Sequence, residues 1–242
     1  MIKWLVIILL AIPRILYSTI KLKIMNARPN KYDLQSRYNV LRVTVRWIVK
    51  LTRVNLNAIN SEIITTKHDN GRIYVSNHRH IFDILVLIYL SEKPLVVISK
   101  KENIKVPFLS CHAKAIDVLF IDREDVRQSL KVCKEAGLKI QAGNDIVIFA
   151  EGTRSKDGNV APFKAALSSI VSYSKGETVL VCMHNTEYPL KWKWITYPRV
   201  PVNVKFFEPL PYEFYLENRK KFAEITRDMV QEQLEAFRKE SK

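Results

Sequence analysis

Two patterns of hydrophobic and polar positions alternate along the chain, and they predict different elements. Short β-branched apolar runs are typical of buried strands, and longer segments with apolar positions every three or four residues are typical of helices. The predicted strands are residues 73–75, 94–98, 118–121, 145–149, 179–183 and 202–207. The predicted helices between and after them are residues 84–90, 124–142, 163–173 and 215–242. This alternation predicts an α/β fold with a largely parallel or mixed sheet flanked by helices.

The start of the chain carries a different pattern. Residues 4–12 form an apolar run that is too short to span a bilayer unaided, and Pro13 and Arg14 follow it. An arginine at mid-bilayer costs about 2.5–3.5 kcal/mol even on insertion scales. Lys3 before the run would also suit a signal peptide, but no small-x-small cleavage site follows. We expect a helix that lies in or dips into one leaflet, and a single span stays open.

The segment 34–52 predicts an amphipathic helix, with an apolar face beside a basic face. The apolar face comprises Leu34, Tyr38, Leu41, Val45 and Ile48, and the basic face comprises Arg42, Arg46, Lys50 and Arg53. Basic amphipathic helices dock on anionic lipid, where each cation contributes about 1 kcal/mol. The alternative is a helix that covers the core of the domain. Because an apolar N-terminal segment precedes this helix, we favour the interpretation that it docks on a membrane. We predict membrane-associated helices over residues 1–56 and an α/β domain over residues 57–242. We predict that residues 57–70 form a linker or an irregular first strand that leads into this domain.

Charge and cysteine content narrow the classes of partner. The chain has 242 residues, with 39 Lys and Arg against 24 Asp and Glu, and a formal net charge of +15. Nucleic acid, an anionic membrane or an acidic substrate would each suit that charge. No zinc finger, RNP-like aromatic strand or long basic tail is present, so nucleic acid is the least favoured. Cys111, Cys133 and Cys182 are odd in number and mostly embedded in apolar runs, which favours reduced core residues of a protein facing the cytosol.

Polar residues directly follow three of the predicted strands. These groups are Asn77 with His78, Asp122 with Arg123, and Glu151, Gly152, Thr153 and Arg154. Charged groups at successive strand ends are costly to place unless they face a common wet cleft or an anionic ligand. Arginine makes fork-like bonds to phosphate and lysine adds a point charge, so Arg123, Arg154 and Lys164 are candidate phosphate ligands. Gly152 lets backbone N–H groups approach a ligand, and Glu151 could accept a bond from a substrate hydroxyl.

His78 and Asp83 are a candidate base and its orienting acid. On one continuous helix their offset would rotate the side chains apart by about 140°, so they meet only if His78 precedes the helix and Asp83 lies in its first turn. The carboxylate would then hold one ring nitrogen and leave the other free to take a proton. No G-x-S-x-G motif is present, so the proton would come from a substrate hydroxyl. His78, His80 and Asp83 also offer zinc ligands, although no downstream cluster completes a set of three or four.

These blocks, in this order, resemble the glycerolipid acyltransferase family, and the nearest class is 1-acylglycerol-3-phosphate acyltransferase. They are Asn77-His78-x4-Asp83, Phe120-Ile121-Asp122-Arg123, Glu151-Gly152-Thr153-Arg154-Ser155 and Pro162-Phe163-Lys164. The resemblance covers roughly residues 74–185. It implies an αβ acyltransferase domain preceded by a membrane-docking two-helix motif. It also implies an acyl-CoA or acyl carrier protein donor, a membrane-bound lysophospholipid acceptor, and no cofactor or metal.

Carried over to this chain, the resemblance implies that His78 deprotonates the acceptor hydroxyl and that Asp83 is its partner. The oxygen would attack the thioester directly, without an acyl-enzyme, and the product would be phosphatidic acid. The implied substrate-binding residues are Arg123, Glu151, Gly152, Thr153, Arg154 and Lys164. The expected location is the cytoplasmic face of the cell membrane.

The chain also departs from the family pattern. The family often has Gly where Asp117 stands, Pro where Ala150 stands, Gly near Ala165 and Ala166, and a Val-Pro-like pair in a fourth block, here Val179-Leu180-Val181-Cys182. These departures change the loops around the acceptor, so a different lysophospholipid acceptor stays open. A non-enzymatic anionic-lipid-binding protein and a metallohydrolase using His78, His80 and Asp83 are the competing hypotheses.

Overall fold

The described residues of the computed structural model, 2–66, 68, 70–105, 107–190 and 201–240, form a seven-stranded sheet with helices against both faces. The strands are β1 (Leu56–Ile59), β2 (Ile73–Ser76), β3 (Leu95–Lys100), β4 (Leu119–Ile121), β5 (Asp145–Phe149), β6 (Thr178–His184) and β7 (Val202–Phe206). The helices are α1 (Ile2–Asn26), α2 (Leu34–Leu51), α3 (Glu62–Thr65), α4 (Phe82–Leu90), α5 (Pro107–Ala115), α6 (Val126–Gln141), α7 (Ala166–Ser174), α8 (Tyr212–Glu217) and α9 (Phe222–Glu240), with a 3-10 helix at Lys101–Lys105. The predicted α/β class with preceding helices is confirmed.

The order of the strands places β2 at the centre of the sheet. Neighbours run β1-β7-β6-β2-β5-β3-β4, and every pair is parallel except the antiparallel β6 and β7. The predicted mixed sheet is therefore present. The last residue of β2, Ser76, lies opposite Phe149 of β5 and Val181 of β6. The carboxyl ends of these parallel strands meet at one edge, which is where open α/β sheets bind ligands.

The strands of the sheet separate two hydrophobic cores, because alternate side chains point to opposite faces. Ile73 and Val75 of β2 pack with residues of α6, α7 and α9 on one face. Tyr74 packs with residues of α2 and α4 on the other. The three cysteines are free, and Cys133 and Cys182 are buried, as predicted from their apolar surroundings.

The apolar face of α2 packs against protein, which corrects the prediction that this face meets lipid. Tyr38, Leu41 and Val45 are at most 6% exposed. The Tyr38 hydroxyl donates to the carbonyl oxygen of Ser91 at 3.3 Å. Burial against protein and burial in lipid both remove apolar area from water, so the hydrophobic pattern alone fits either. The alternative, a helix that covers the core, describes α2.

Helix α1 lies against α2 and α5 and leaves one apolar stripe exposed. Its buried side holds Ser18, whose Oγ lies 3.3 Å from Nε2 of the buried His112. The stripe consists of Leu9, Leu10, Ile12, Leu16, Tyr17, Ile20 and Ile24, each about half exposed. Among the described residues, none of the helices combines the length and hydrophobicity that crossing a bilayer requires.

Three further segments can be compared with the predictions. For residues 57–70 the second alternative, an irregular first strand, is confirmed, because β1 pairs with β7 and the short helix α3 follows it. Pro107 begins α5, a helix that was not predicted, at a position where the fixed φ of proline suits a helix. The predicted helix 215–242 is interrupted between α8 and α9, and its last two residues lie outside the described residues.

The packing of α2 predicts a difference between two truncations on the same helix. Leu41→Ala should lower the free energy of unfolding by about 2–5 kcal/mol, because a buried leucine leaves a cavity. Val43→Ala is the matched control, since Val43 is 52% exposed, and it should change that free energy by less than about 0.5 kcal/mol. Urea denaturation measures both variants. Equal effects would contradict the assignment of the buried face.

Candidate active site

The loop after β2 is fixed to its neighbour β6 by the side chain of Asn77. Its amide nitrogen donates to the carbonyl oxygen of Met183 at 2.9 Å, and its amide oxygen accepts from the Met183 backbone nitrogen at 2.8 Å. Asparagine suits this place because its side chain offers both a donor and an acceptor, as a backbone peptide does. The following residue, His78, is thereby held at the carboxyl edge of the sheet.

His78 and Asp83 are in contact, in the arrangement that their spacing requires. His78 lies in the loop, Asp83 lies in the first turn of α4, and Nδ1 of His78 is 2.7 Å from Oδ2 of Asp83. A carboxylate oxygen can only accept, so Nδ1 carries the proton and Nε2 of the neutral ring keeps its lone pair. The histidine side chain is 18% exposed. Its ring stacks on Phe149, with the centroids 4.1 Å apart.

Asp83 is fully buried, and several donors converge on one of its oxygens. Besides the ring of His78, the backbone nitrogens of Arg79 and His80 donate to Oδ2 at 2.7 and 3.0 Å. Burying an isolated carboxylate is very costly, and charge-assisted bonds together with a helix N-terminus offset that cost. The acid is therefore held as a charged acceptor that orients the ring.

Glu151 joins the two loops that flank the imidazole. Only 1% of this residue is exposed, and its oxygens accept from the backbone nitrogens of His78 at 2.7 Å and Ala161 at 2.8 Å. Burial raises the pKa of the carboxyl group, and these two hydrogen bonds oppose the rise. The Ser155 backbone nitrogen adds a bond to the carbonyl oxygen of His78 at 2.8 Å. With one backbone donor on each oxygen, Glu151 holds the two loops together, and the substrate contact implied for it stays a prediction.

The predicted phosphate ligands lie on neighbouring loops of this edge. Gly152 has φ +75°, and a Cβ built there would lie 3.5 Å from Cγ of Lys164 and 3.8 Å from Cζ of Arg123. Arg154, two residues farther along the loop, is exposed, as is Thr153. Within the described residues, no carboxylate pairs with these three cations. The arrangement leaves positive charge available to an anionic ligand.

The alternative zinc set is not assembled. In the part of the chain that the structure describes, no three His, Cys, Asp or Glu side chains are grouped so that they could hold a metal ion. Oδ2 of Asp83 is already engaged by His78 and by backbone donors.

Several contacts at this edge have no signal in the hydrophobic pattern. The stacking of Phe149 on His78 follows from the register of β2 and β5. The two hydrogen bonds between Asn77 and Met183 follow from the pairing of β2 with β6. Parallel pairing joins residues far apart in the chain, so a sequence pattern of local period does not reveal it. Asn77 was predicted only as one of the polar residues that follow β2, without a function of its own.

Comparisons with known proteins show a family to which the chain is similar. The family model described as Acyltransferase matches residues 55–202. Curated relatives named 1-acyl-sn-glycerol-3-phosphate acyltransferase include one from Cocos nucifera, 28% identical over 148 residues, which are 61% of this chain and 48% of that protein. Another, from Limnanthes alba, is 31% identical over 159 residues, 64% of this chain and 56% of that protein. The chain thus spans about half the length of the curated relatives that it matches.

A solved structure shares the fold. It is the crystal structure of a 1-acyl-sn-glycerophosphate acyltransferase from Thermotoga maritima, with a TM-score of 0.67 and 20% identity. The likeness covers 94% of this chain and 98% of that one. With a family model that matches more than half of its residues, the chain belongs to the acyltransferase family.

Proposed function

We propose that the protein transfers a fatty acyl group from a thioester donor to the free hydroxyl of 1-acylglycerol-3-phosphate, which yields phosphatidic acid. The observation that carries this proposal is the 2.7 Å contact between His78 and Asp83. It prepares a base at the edge of the sheet whose loops also carry Arg123, Arg154 and Lys164, and among the described residues no carboxylate pairs with these cations. The names of the curated relatives support the acceptor. An acyl-CoA and an acyl carrier protein would present the same thioester.

In the proposed reaction the acceptor hydroxyl donates its proton to Nε2 of His78. The oxygen attacks the thioester carbonyl carbon, the new C–O bond forms, and the C–S bond breaks as the tetrahedral intermediate collapses. The leaving thiolate takes the proton back from the imidazolium and departs as a free thiol. Asp83 stabilises the imidazolium and keeps the ring in one tautomer. Every proton is accounted for without a protein nucleophile.

The acceptor phosphate would lie against Arg123, Arg154 and Lys164. Guanidinium groups match phosphate oxygens in pairs, and Lys164 would add a point charge. The positive φ of Gly152 turns the chain beside these cations, and glycine adopts it without strain. Thr153, exposed on the same loop, offers a hydroxyl to the glycerol moiety.

Helix α1 would dock the protein on the cytoplasmic face of an anionic membrane. Its exposed apolar stripe would enter the interface, and the exposed cations at its end would meet lipid phosphates. These cations are Lys21, Lys23, Arg28 and Lys31. Arg14 and Lys21 lie over the ring of Tyr17 at 5.6 and 5.8 Å, which places positive charge beside an aromatic anchor.

Removal of the base tests the proposal most simply. His78→Ala should abolish acyl transfer, and Asp83→Asn should lower kcat by about 10²–10⁴, the usual contribution of general base catalysis. Thiol release from acyl-CoA, measured with 1-acylglycerol-3-phosphate and a panel of other lysophospholipids, gives both rates. Near-normal turnover of His78→Ala would overturn the proposal. Vesicle binding without thiol release by the unaltered protein would instead favour a lipid-binding protein that is not an enzyme.

Arg154→Ala should raise the KM for 1-acylglycerol-3-phosphate by about tenfold or more, the value of one charge-assisted hydrogen bond. The KM for the acyl donor should stay unchanged, because the phosphate belongs to the acceptor. Lys156→Ala is the matched control, since it removes an exposed cation two residues away. An unchanged acceptor KM in the Arg154 variant would contradict its assignment.

Membrane docking by α1 predicts a loss of vesicle binding when its stripe becomes charged. Ile20→Asp should release the protein from vesicles that contain anionic lipid, because Ile20 is 61% exposed on the stripe. Leu138→Asp, on α6 and 53% exposed, is the control and should bind as the unaltered protein does. Sedimentation with the vesicles measures both. Equal binding by the two variants would exclude docking through this stripe.

A further inference from the structure

A polar cavity of about 190 Å³ lies behind the loop that carries His78. Its walls come from the ends of β2 and β6, the turn around residue 158, and α9. The residues that matter here are Asn77, Arg79, Gly158, Glu187 and Arg238. Asn77 and Arg79 flank His78 in the chain, whereas the ring of His78 stacks on Phe149. The cavity therefore adjoins the site through the backbone of its loop.

Two guanidinium groups, those of Arg79 and Arg238, meet where a side chain at Gly158 would lie. A Cβ at this position would collide with Nη1 of Arg79 and lie 3.0 Å from Nη2 of Arg238. Arg238 donates to the carbonyl oxygen of Gly158 at 2.6 Å and to Oδ1 of Asn159 at 2.9 Å. Arg79 donates through Nε to Oε1 of Glu187 at 3.1 Å. Because Gly158 has no side chain, the two guanidinium groups can approach its backbone closely. Glycine also adopts the φ of +90° found here without strain.

The turn held in this way belongs to the loop that carries Arg154. Within the turn, Asp157 accepts from the backbone of Asn159 and from the hydroxyl of Ser155, so the turn is an internally bonded unit. Its position in the molecule is set from outside. Besides the contacts of Arg238, α9 reaches it through Oε1 of Gln231, which accepts from the Val160 backbone nitrogen at 2.9 Å.

Arg79 and Ser155 connect this loop to the loop that carries His78. The backbone nitrogen of Arg79 donates to Asp83, and its side chain lies against Gly158. The Ser155 backbone nitrogen bonds to the carbonyl oxygen of His78. A fork-like contact with phosphate tolerates displacements of only about 0.5 Å, so the placement of the loop decides what Arg154 can bind.

We propose that Arg79 and Arg238 form a clamp on the turn at Gly158 that places Arg154 for the acceptor phosphate. Both are positioning residues, and neither contacts substrate in this account. Arg238, in the last turns of α9, thereby acts on acceptor binding from a distant part of the chain. The inference rests on the proposed function, because it assigns the clamp to the acceptor of that reaction.

Arg238→Ala tests the clamp. We expect the KM for 1-acylglycerol-3-phosphate to rise about tenfold, the value of a charge-assisted hydrogen bond, while the KM for acyl-CoA and the midpoint of urea unfolding stay close to those of the unaltered protein. Arg238→Lys should recover part of the loss, because its ammonium can still donate to Gly158. Lys239→Ala removes the neighbouring charge and should change nothing. Equal rises in both KM values would overturn the clamp.

A double-mutant cycle tests whether Arg238 affects acceptor binding by positioning Arg154 or by a general destabilisation of the protein. In an Arg154→Ala background, Arg238→Ala should add little to the acceptor KM, because the residue that the clamp positions is already gone. A rise by the same factor in both backgrounds would show that Arg238 acts independently of Arg154 and would overturn the inference.

Hydrogen exchange tests the clamp without relying on activity. The backbone amides of Ser155, Gly158 and Val160 should exchange faster in Arg238→Ala than in Lys239→Ala. Unchanged protection in both variants would overturn the clamp, whatever the enzyme assays show. If the unaltered protein released no thiol from acyl-CoA, the proposed reaction would fail, and faster exchange would still support the clamp on the turn.

Discussion

The structure of this site depends on the burial of one carboxylate, Asp83. A charge without solvent persists only where donors offset the lost hydration, and three donors meet at Oδ2: the ring of His78 and the backbone nitrogens of Arg79 and His80. Oδ1 has no hydrogen-bond partner among the described residues, so Oδ2 carries the whole set. These donors converge because the chain turns sharply between the end of β2 and the start of α4. The hydrogen bonds to Asp83 therefore fix the loop, and the loop fixes the orientation of the His78 ring.

Further hydrogen bonds connect the His78 loop to the neighbouring loops at the carboxyl edge of the sheet. Glu151 bonds the backbone of His78 from the β5 side, and Asn77 bonds β6 from the other. Parallel pairing of β2 with both neighbours brings these residues to the same edge. The loop beyond Glu151 carries Arg154, and the Ser155 backbone nitrogen bonds this loop to the carbonyl oxygen of His78. Arg238 extends these contacts to α9.

The features that could be predicted from the sequence are those that depend on residues close together in the chain. Runs of β-branched residues located the strands, and the spacing of His78 and Asp83 dictated that they meet at a helix start. It missed what depends on partners far away in the chain. An amphipathic face does not tell whether lipid or protein covers it, so α2 was assigned to the membrane although its apolar side is buried. The ion pair of Arg79 with Glu187 joins residues 108 positions apart and has no local pattern.

The central claim is that Asp83 holds the imidazole of His78 in one tautomer. Nitrogen-15 NMR of histidine-labelled protein measures this directly, with the His78 signals identified among the five histidines by their loss in His78→Ala. We expect the neutral ring to carry its proton on Nδ1 and to leave Nε2 unprotonated. A ring protonated on Nε2, with Nδ1 bare beside the carboxylate, would contradict it.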